Sequence, residues 1–177
     1  MIRIVKNSLG LLCIVAVCLI VACQPKVKYP DIQLISINDT LHIIQLKTDS
    51  TTNRWTLPYP VYQFQLGDID QDGSTDILVG VVKRTHFDTL VRKRLFIFKN
   101  FEGYIRPLWM GSGLGQPISD FRFLQTSQGA RIRSIERERN GKFLLAEYKW
   151  AQFGLDFTKY IVRNTDSIKA LQIFMKE

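Results

Sequence analysis

Residues 68–76 read Asp-Ile-Asp-Gln-Asp-Gly-Ser-Thr-Asp, with four carboxylates (Asp68, Asp70, Asp72 and Asp76) around a single glycine, Gly73. No other stretch restricts the fold as much. Val61, Tyr62, Phe64 and Leu66 precede it and the apolar run Ile77 to Val82 follows, so the acidic segment is expected to be a loop joining two extended, buried elements. Four like charges on one short loop repel each other, and a hard divalent cation with oxygen ligands removes the conflict. Ca2+ takes six to eight oxygens at about 2.3–2.6 Å in a forgiving geometry. The expected ligands are the side chains of Asp68, Asp70 and Asp72, the backbone carbonyl of Ser74 and a bidentate Asp76. Gly73 would permit the sharp turn, where a β-carbon would clash. The plain alternative is an exposed polar turn whose aspartates hold no metal.

An EF-hand does not fit. Its loop ends in a bidentate Glu at the twelfth position, which counted from Asp68 is Val79, and it needs a helix on each side. The segment from Leu66 to Gly80 instead resembles the FG-GAP/VCBS repeat family, whose calcium loops, known from integrin propellers, join two β-strands. Gln71 departs from the usual small residue, and the Phe-Gly and Gly-Ala-Pro signatures are absent. The resemblance implies blade-like units. A closed propeller needs several blades, more than this length supplies. The expected fold is therefore mainly β, a single domain of blade-like antiparallel sheets, either an incomplete propeller or a compact β domain.

The rest of the chain agrees with that class. Ile32–Ile37 and Leu41–Leu46 flank the turn pair Asn38-Asp39, and Arg54–Leu57 is a short strand before Pro58 and Pro60. Further strands are expected at Arg94–Lys99, Phe121–Leu124, Arg131–Arg137, Phe143–Trp150 and Asp156–Val162. Asn140-Gly141 is a hairpin signal. The polar–apolar alternation of 131–136 predicts a half-exposed strand, and 167–176 reads as strand or short helix. A weak repeat is visible at an offset of 57 residues: Pro60 aligns with Pro117, Phe64 with Phe121 and Leu66 with Phe123. In the second copy the acidic loop is replaced by Gln125-Thr126-Ser127-Gln128-Gly129, without a carboxylate.

The N-terminus carries an address. Arg3 and Lys6 precede an apolar run, Leu9 to Ala22, that ends in Ile20-Val21-Ala22-Cys23, the layout of a secretory signal. Its end resembles the lipobox of bacterial lipoproteins, which implies cleavage before Cys23, lipidation of that cysteine and stable attachment through several acyl chains. Segments 1–22 (signal), 23–30 (tether) and 31–177 (β-rich domain) follow. Gln24, where Asp would mark inner-membrane retention, points by that resemblance to the outer membrane. Surface-exposed lipoproteins often carry an acidic run after the cysteine; its absence favours the periplasmic face. Cys13 and Cys18 leave with the signal, so the domain keeps no cysteine for a disulfide, zinc cage or thiol nucleophile.

Removing the first 22 of 177 residues leaves 155, and the formal charge falls from +8 to +6 because Arg3 and Lys6 are lost. The basic residues cluster at Lys83-Arg84, Arg92-Lys93-Arg94 and Arg131–Arg139. For an exported lipoprotein this favours acidic glycans or anionic head groups over nucleic acid, the plain alternative being a solvated basic face with no specific partner. Trp109 and Trp150 are candidate ligand-binding aromatics, with core packing as their default role. His42 reads as a packed strand residue. Gly111–Gly115 reads as a flexible loop and not a dinucleotide fingerprint. Glu136, Glu138 and Glu147 offer acids for a glycosidase-like pair, but Glu136 and Glu138 alternate with Arg137 and Arg139, the pattern of a charged strand end. The expected function is a non-enzymatic, membrane-anchored binding or adhesion module for protein or glycan. The alternatives are a non-catalytic accessory subunit of an envelope complex, such as a glycan-uptake system, and a hydrolase with an unrecognised site.

Overall fold

A computed structural model describes residues 31–86, 88–111 and 113–176. The signal segment, Cys23 and the tether lie outside the described residues. Eleven strands and one C-terminal helix are present among those described. The first sheet, in the order β1-β2-β3, comprises β1 (Asp31–Asn38), β2 (Leu41–Lys47) and β3 (Thr52–Leu57). The second, β4-β5-β6-β7, comprises β4 (Val61–Gly67), β5 (Asp76–Lys83), β6 (Arg92–Phe101) and β7 (Tyr104–Trp109). The third comprises β8 (Ile118–Thr126), β9 (Gly129–Arg137), β10 (Phe143–Ala151) and β11 (Gly154–Thr165), also a consecutive meander. All pairings are antiparallel. The domain is mainly β, as expected, and the sheets do not close into a barrel.

The sheets stack, and the second is the middle layer. Successive side chains of a strand point to opposite faces. Ile77, Val79 and Val81 of β5, with Phe96 and Phe98 of β6, meet Ile44, Leu46 and Leu57 of the first sheet. Leu78, Leu95 and Ile97 face the other way, against Phe121, Ile132 and Leu144 of the third sheet. This explains why β5 is an unbroken apolar run: both of its faces are covered. Each fully buried side chain of this size contributes about 1.5–3 kcal/mol.

Helix α1 (Ser167–Phe174) covers the outer face of the third sheet. Asp166 caps it, accepting a hydrogen bond from the Lys169 N–H at 2.8 Å, a arrangement typical of helix starts. Ala170 and Phe174, four residues apart on one face, pack on Ile135 and Leu145. The open choice between strand and helix at 167–176 is thus settled as helix. The reading of 131–136 as half-exposed is corrected on both faces: the helix covers Ile135, and Glu136 on the other face is bonded to Ser134 and Tyr148. The alternation holds up to Arg133, but Ser134, Ile135 and Glu136 are all buried. Several strands also extend past their expected ends, β6 starting at Arg92 and β11 running from Gly154 to Thr165.

The sequence repeat has a structural counterpart. Pro60 and Pro117 each precede the first strand of a four-stranded meander. The Pro60 carbonyl accepts from the Val82 N–H and the Pro117 carbonyl from the Arg137 N–H, both at 2.9 Å. The register slips between Val61 and Gln63 in one sheet and between Ile118 and Asp120 in the other, so the bulges recur at the same offset. Strands β4 and β8 are stitched by side chains. The Gln65 carboxamide accepts from the Phe123 N–H at 2.7 Å and donates to the Phe121 carbonyl at 3.3 Å. Gly67 has to be glycine here, because a β-carbon would lie 2.3 Å from the Phe123 ring.

Candidate metal centre

The acidic loop is the connection between β4 and β5, strands on both sides, which agrees with the exclusion of an EF-hand. Ile69 is fully buried in the core between the second and third sheets and pins the loop's N-terminal half to the body. Gln71 and Gly73 adopt positive φ, 60° and 88°, the second a backbone state that glycine takes without steric cost. The aspartates partly close the loop themselves. Asp68 accepts from the N–H groups of Asp72 (3.0 Å) and Gly73 (2.9 Å), and Asp72 accepts from Ser74 at 2.9 Å.

Of the four expected aspartates, three converge. Asp68, Asp70 and Asp76 each place a carboxylate oxygen within 4.8 Å of the other two. Asp72 is exposed and outside that group, and Ser74 is half-buried with its N–H given to Asp72. Like charges within 4.8 Å of one another repel by about 1 kcal/mol or more in water and about 3–4 kcal/mol or more in a protein-like medium. Asp76 is 0 % exposed. Its Oδ2 accepts from the Ile69 N–H at 3.0 Å, while its Oδ1 and the Oδ1 of Asp70 are buried with no hydrogen-bond partner. Burial, opposed by the Ile69 N–H and reinforced by repulsion from Asp70, pushes the Asp76 carboxyl up to about 7. Buried carboxylate oxygens are costly unless something compensates them, and a cation with oxygen ligands would compensate both at once.

Lys99 belongs to the acidic corner, which the sequence reading missed. Its ammonium contacts Asp70 Oδ2 and lies 2.6 Å from Asp72 Oδ2. Burial pulls its pKa down, but the bonds to Asp70 and Asp72 prevail and raise it. The Lys99 bond, with the Ser74 N–H, holds the Asp72 carboxyl below the ordinary range. The signal was in the hairpin register: Ile77 pairs with Phe98, which sets Lys99 beside Asp76. One ammonium against four carboxylates leaves the loop negative, and it touches only the Oδ2 atoms of Asp70 and Asp72, not the orphaned Oδ1 of Asp70 or Asp76.

The other candidates are placed as follows. Trp109 is 8 % exposed in the core between the second and third sheets, and the half-buried Trp150 packs against the same cluster. His42 is buried with Nδ1 3.2 Å from the Tyr59 carbonyl. Glu136 is buried and bonded to the Ser134 and Tyr148 hydroxyls and the Gln116 N–H. Glu147 pairs with Arg133 and Lys159, and Glu138 with Arg163. Each of these acids thus ties strands or loops together. Compared with protein-family models, with curated proteins and with solved structures, the chain matches none of them.

Proposed function

We propose that this chain is an exported, membrane-anchored lipoprotein whose β domain is stabilised by Ca2+ and serves as a non-enzymatic binding module for a protein or glycan. The observation that carries the metal part is the pair of buried, unpartnered oxygens on Asp70 and Asp76, in a cluster built only from oxygen donors. All-oxygen ligation on an irregular loop suits Ca2+, which tolerates variable geometry, better than Mg2+, which demands a near-ideal octahedron. Affinity in the range of about 10⁻⁴–10⁻³ M, that of extracellular modules, is expected. The ion's role is structural: it ties the start of β5 to the loop and lets Ile69 stay in the core.

The anchor reading rests on Cys23 and the apolar run before it, and the binding reading on the resemblance to calcium-loop repeats together with the engagement of Glu136, Glu138 and Glu147 in structural bonds. Two experiments test it. Cells fed a labelled fatty acid should label the wild-type chain in the membrane fraction and not Cys23→Ser. The lipid-free domain from residue 24, immobilised and washed with envelope proteins and polysaccharides in calcium and then in chelator, should retain a defined ligand. Retention of none in either condition contradicts a binding module, and an unlabelled wild-type chain contradicts the anchor.

A further inference from the structure

Helix α1 has two apolar sides and the sheet covers one. Ala170 and Phe174 are buried on the third sheet, whereas Ile168, Leu171 and Met175 are 71 %, 52 % and 63 % exposed. Residues three and four apart on a helix are neighbours, so these three form one stripe, about 10 Å long at 1.5 Å per residue. Apolar side chains scattered singly over a surface are ordinary, but a contiguous row marks a contact surface.

The half of this sheet face that α1 leaves open is basic. Side chains two apart on a strand share a face, so Arg131 and Arg133 lie on the same face as Ile135 under the helix. The register sets Arg122 opposite Arg133, and Lys149 follows Leu145 and Glu147 on β10. Arg122 and Arg133 donate to the Phe174 and Lys176 carbonyls at 3.1 and 2.8 Å, which ties the basic field to the end of the stripe. Arg131 bonds the carbonyls of Ala130 and Gln128, so its charge is not neutralised. The nearby carboxylates are committed: Glu147 to Arg133 and Lys159, Asp166 to the helix cap and Asp120 to the Phe121 N–H. Asp156 stands opposite Lys149, yet the exposed Lys149, Lys169 and Lys176 form no ion pair among the described residues.

An acidic glycan would meet the cations but offers no apolar volume for the stripe. A two-fold dimer through this face would set like charges against each other, and so short a stripe falls far below the about 1,200 Å² that a stable dimer buries. A bilayer with anionic head groups meets both halves at once, because apolar side chains enter the head-group boundary while lysine and arginine reach the phosphates. Seven residues separate Cys23 from Asp31, at most about 29 Å of extended chain, so a lipid anchor holds the domain close to such a surface. We propose that α1 and the basic half of the third sheet's outer face lie on an anionic lipid surface, with Ile168, Leu171 and Met175 in the head-group boundary and Arg131, Lys149, Lys169 and Lys176 on the phosphates. This rests on reading the chain as membrane-anchored, and adds that the domain is oriented on the bilayer instead of hanging free on its tether.

All three buried clusters lie between Ile32 and Phe174, so the lipid-free chain from residue 24 keeps the whole core and serves for the test. It is sedimented with vesicles of phosphatidylcholine, with and without phosphatidylglycerol, and its 15N-labelled form is mixed with phosphatidylglycerol nanodiscs that carry a gadolinium lipid. Binding should require phosphatidylglycerol and weaken with salt, and the gadolinium should broaden the amides of 168–176 most. Leu171→Glu should lower binding about tenfold or more, the scale of one apolar side chain kept in water; Ile168→Gln serves if that change lowers the melting temperature. Lys149→Gln, Lys169→Gln and Lys176→Gln together should lower binding more than the same charge removed elsewhere, through Lys47→Gln, Arg84→Gln and Arg106→Gln. No binding, broadening centred on another face, unchanged binding in the stripe variant, equal loss in the two charge variants, or a dimer that Leu171→Glu dissolves overturns the proposal. The fatty-acid label reports on the anchor separately: a labelled chain with α1 unbroadened removes this surface alone, and an unlabelled chain with α1 broadened removes the anchor alone.

Discussion

The second and third sheets are the same meander with different first loops. Both start after a proline whose carbonyl is bonded across the sheet, and both carry a bulge two residues in. In the third sheet β8 and β9 are joined by two residues, 127–128; in the second, β4 and β5 are joined by eight, 68–75. The short turn shows that the meander does not require a long loop. Six extra residues rich in aspartate therefore have to be explained by something other than chain reversal. The same comparison separates two sources of stability. The third sheet is closed by apolar cover, α1 on one face and the second sheet on the other. The second ends in a charged corner where only Lys99 offsets the carboxylates.

The comparison can be broken at the shared core first. Phe121→Ala should cost about 3–5 kcal/mol with calcium or with chelator, because Phe121 is fully buried between the two sheets, in the cluster that also holds Ile69. Chemical denaturation in both conditions checks this. Replacing 68–75 with an Asn-Gly turn should leave a folded domain with its β circular-dichroism signal. Loss of Ile69 from the core would cost about 2–5 kcal/mol, part of it offset by about 1.2 kcal/mol of smaller loop-closure entropy. The melt of that variant should not respond to calcium. If the graft does not fold, the loop is part of the frame and the two meanders are not equivalent.

Lys99→Met sharpens the electrostatic side. Without metal, the carboxylates lose their one neighbouring ammonium, and melting should fall by a few degrees at about 2–4 °C per kcal/mol. The rise on adding calcium should be larger than in wild type, since the ion then has more charge to neutralise. An equal rise in both proteins means that Lys99 and the ion act independently. The smallest effect is expected in the third sheet. Burial raises the Glu147 carboxyl, but bonds from Arg133 and Lys159 outweigh it and hold the pKa below the ordinary 4.5. Its contribution is then full above that value and lost as pH falls through the lowered one. Glu147→Gln should flatten the acid side of the melting-temperature profile while leaving the neutral side nearly parallel.

Much of this frame was legible in the sequence. The β class, the hairpins at Asn38-Asp39 and Asn140-Gly141, and the 57-residue repeat all rest on local patterns: turn residues and period-two burial. What escaped was set by contacts between distant segments. Ile135 is buried by α1 returning over the sheet, and Glu136 on the other face by the Tyr148 hydroxyl and the Gln116 N–H that bond it. Lys99 becomes part of the acidic corner only through the β5–β6 register. The aspartates were visible as a group, but which of them converge depends on the loop's own hydrogen bonds, which turn Asp72 outward to Lys99.

Isothermal titration of the chelator-treated domain with calcium, in wild type and Asp76→Asn, tests the central claim most directly. Asparagine keeps the acceptor for the Ile69 N–H but removes the buried charge. Wild type should bind one ion saturably, with a stabilisation of about 2.7 kcal/mol at a hundredfold excess over Kd, and Asp76→Asn should fold without binding it. No saturable binding in wild type, or the same binding in Asp76→Asn, would show that the buried oxygens of Asp70 and Asp76 do not hold a cation.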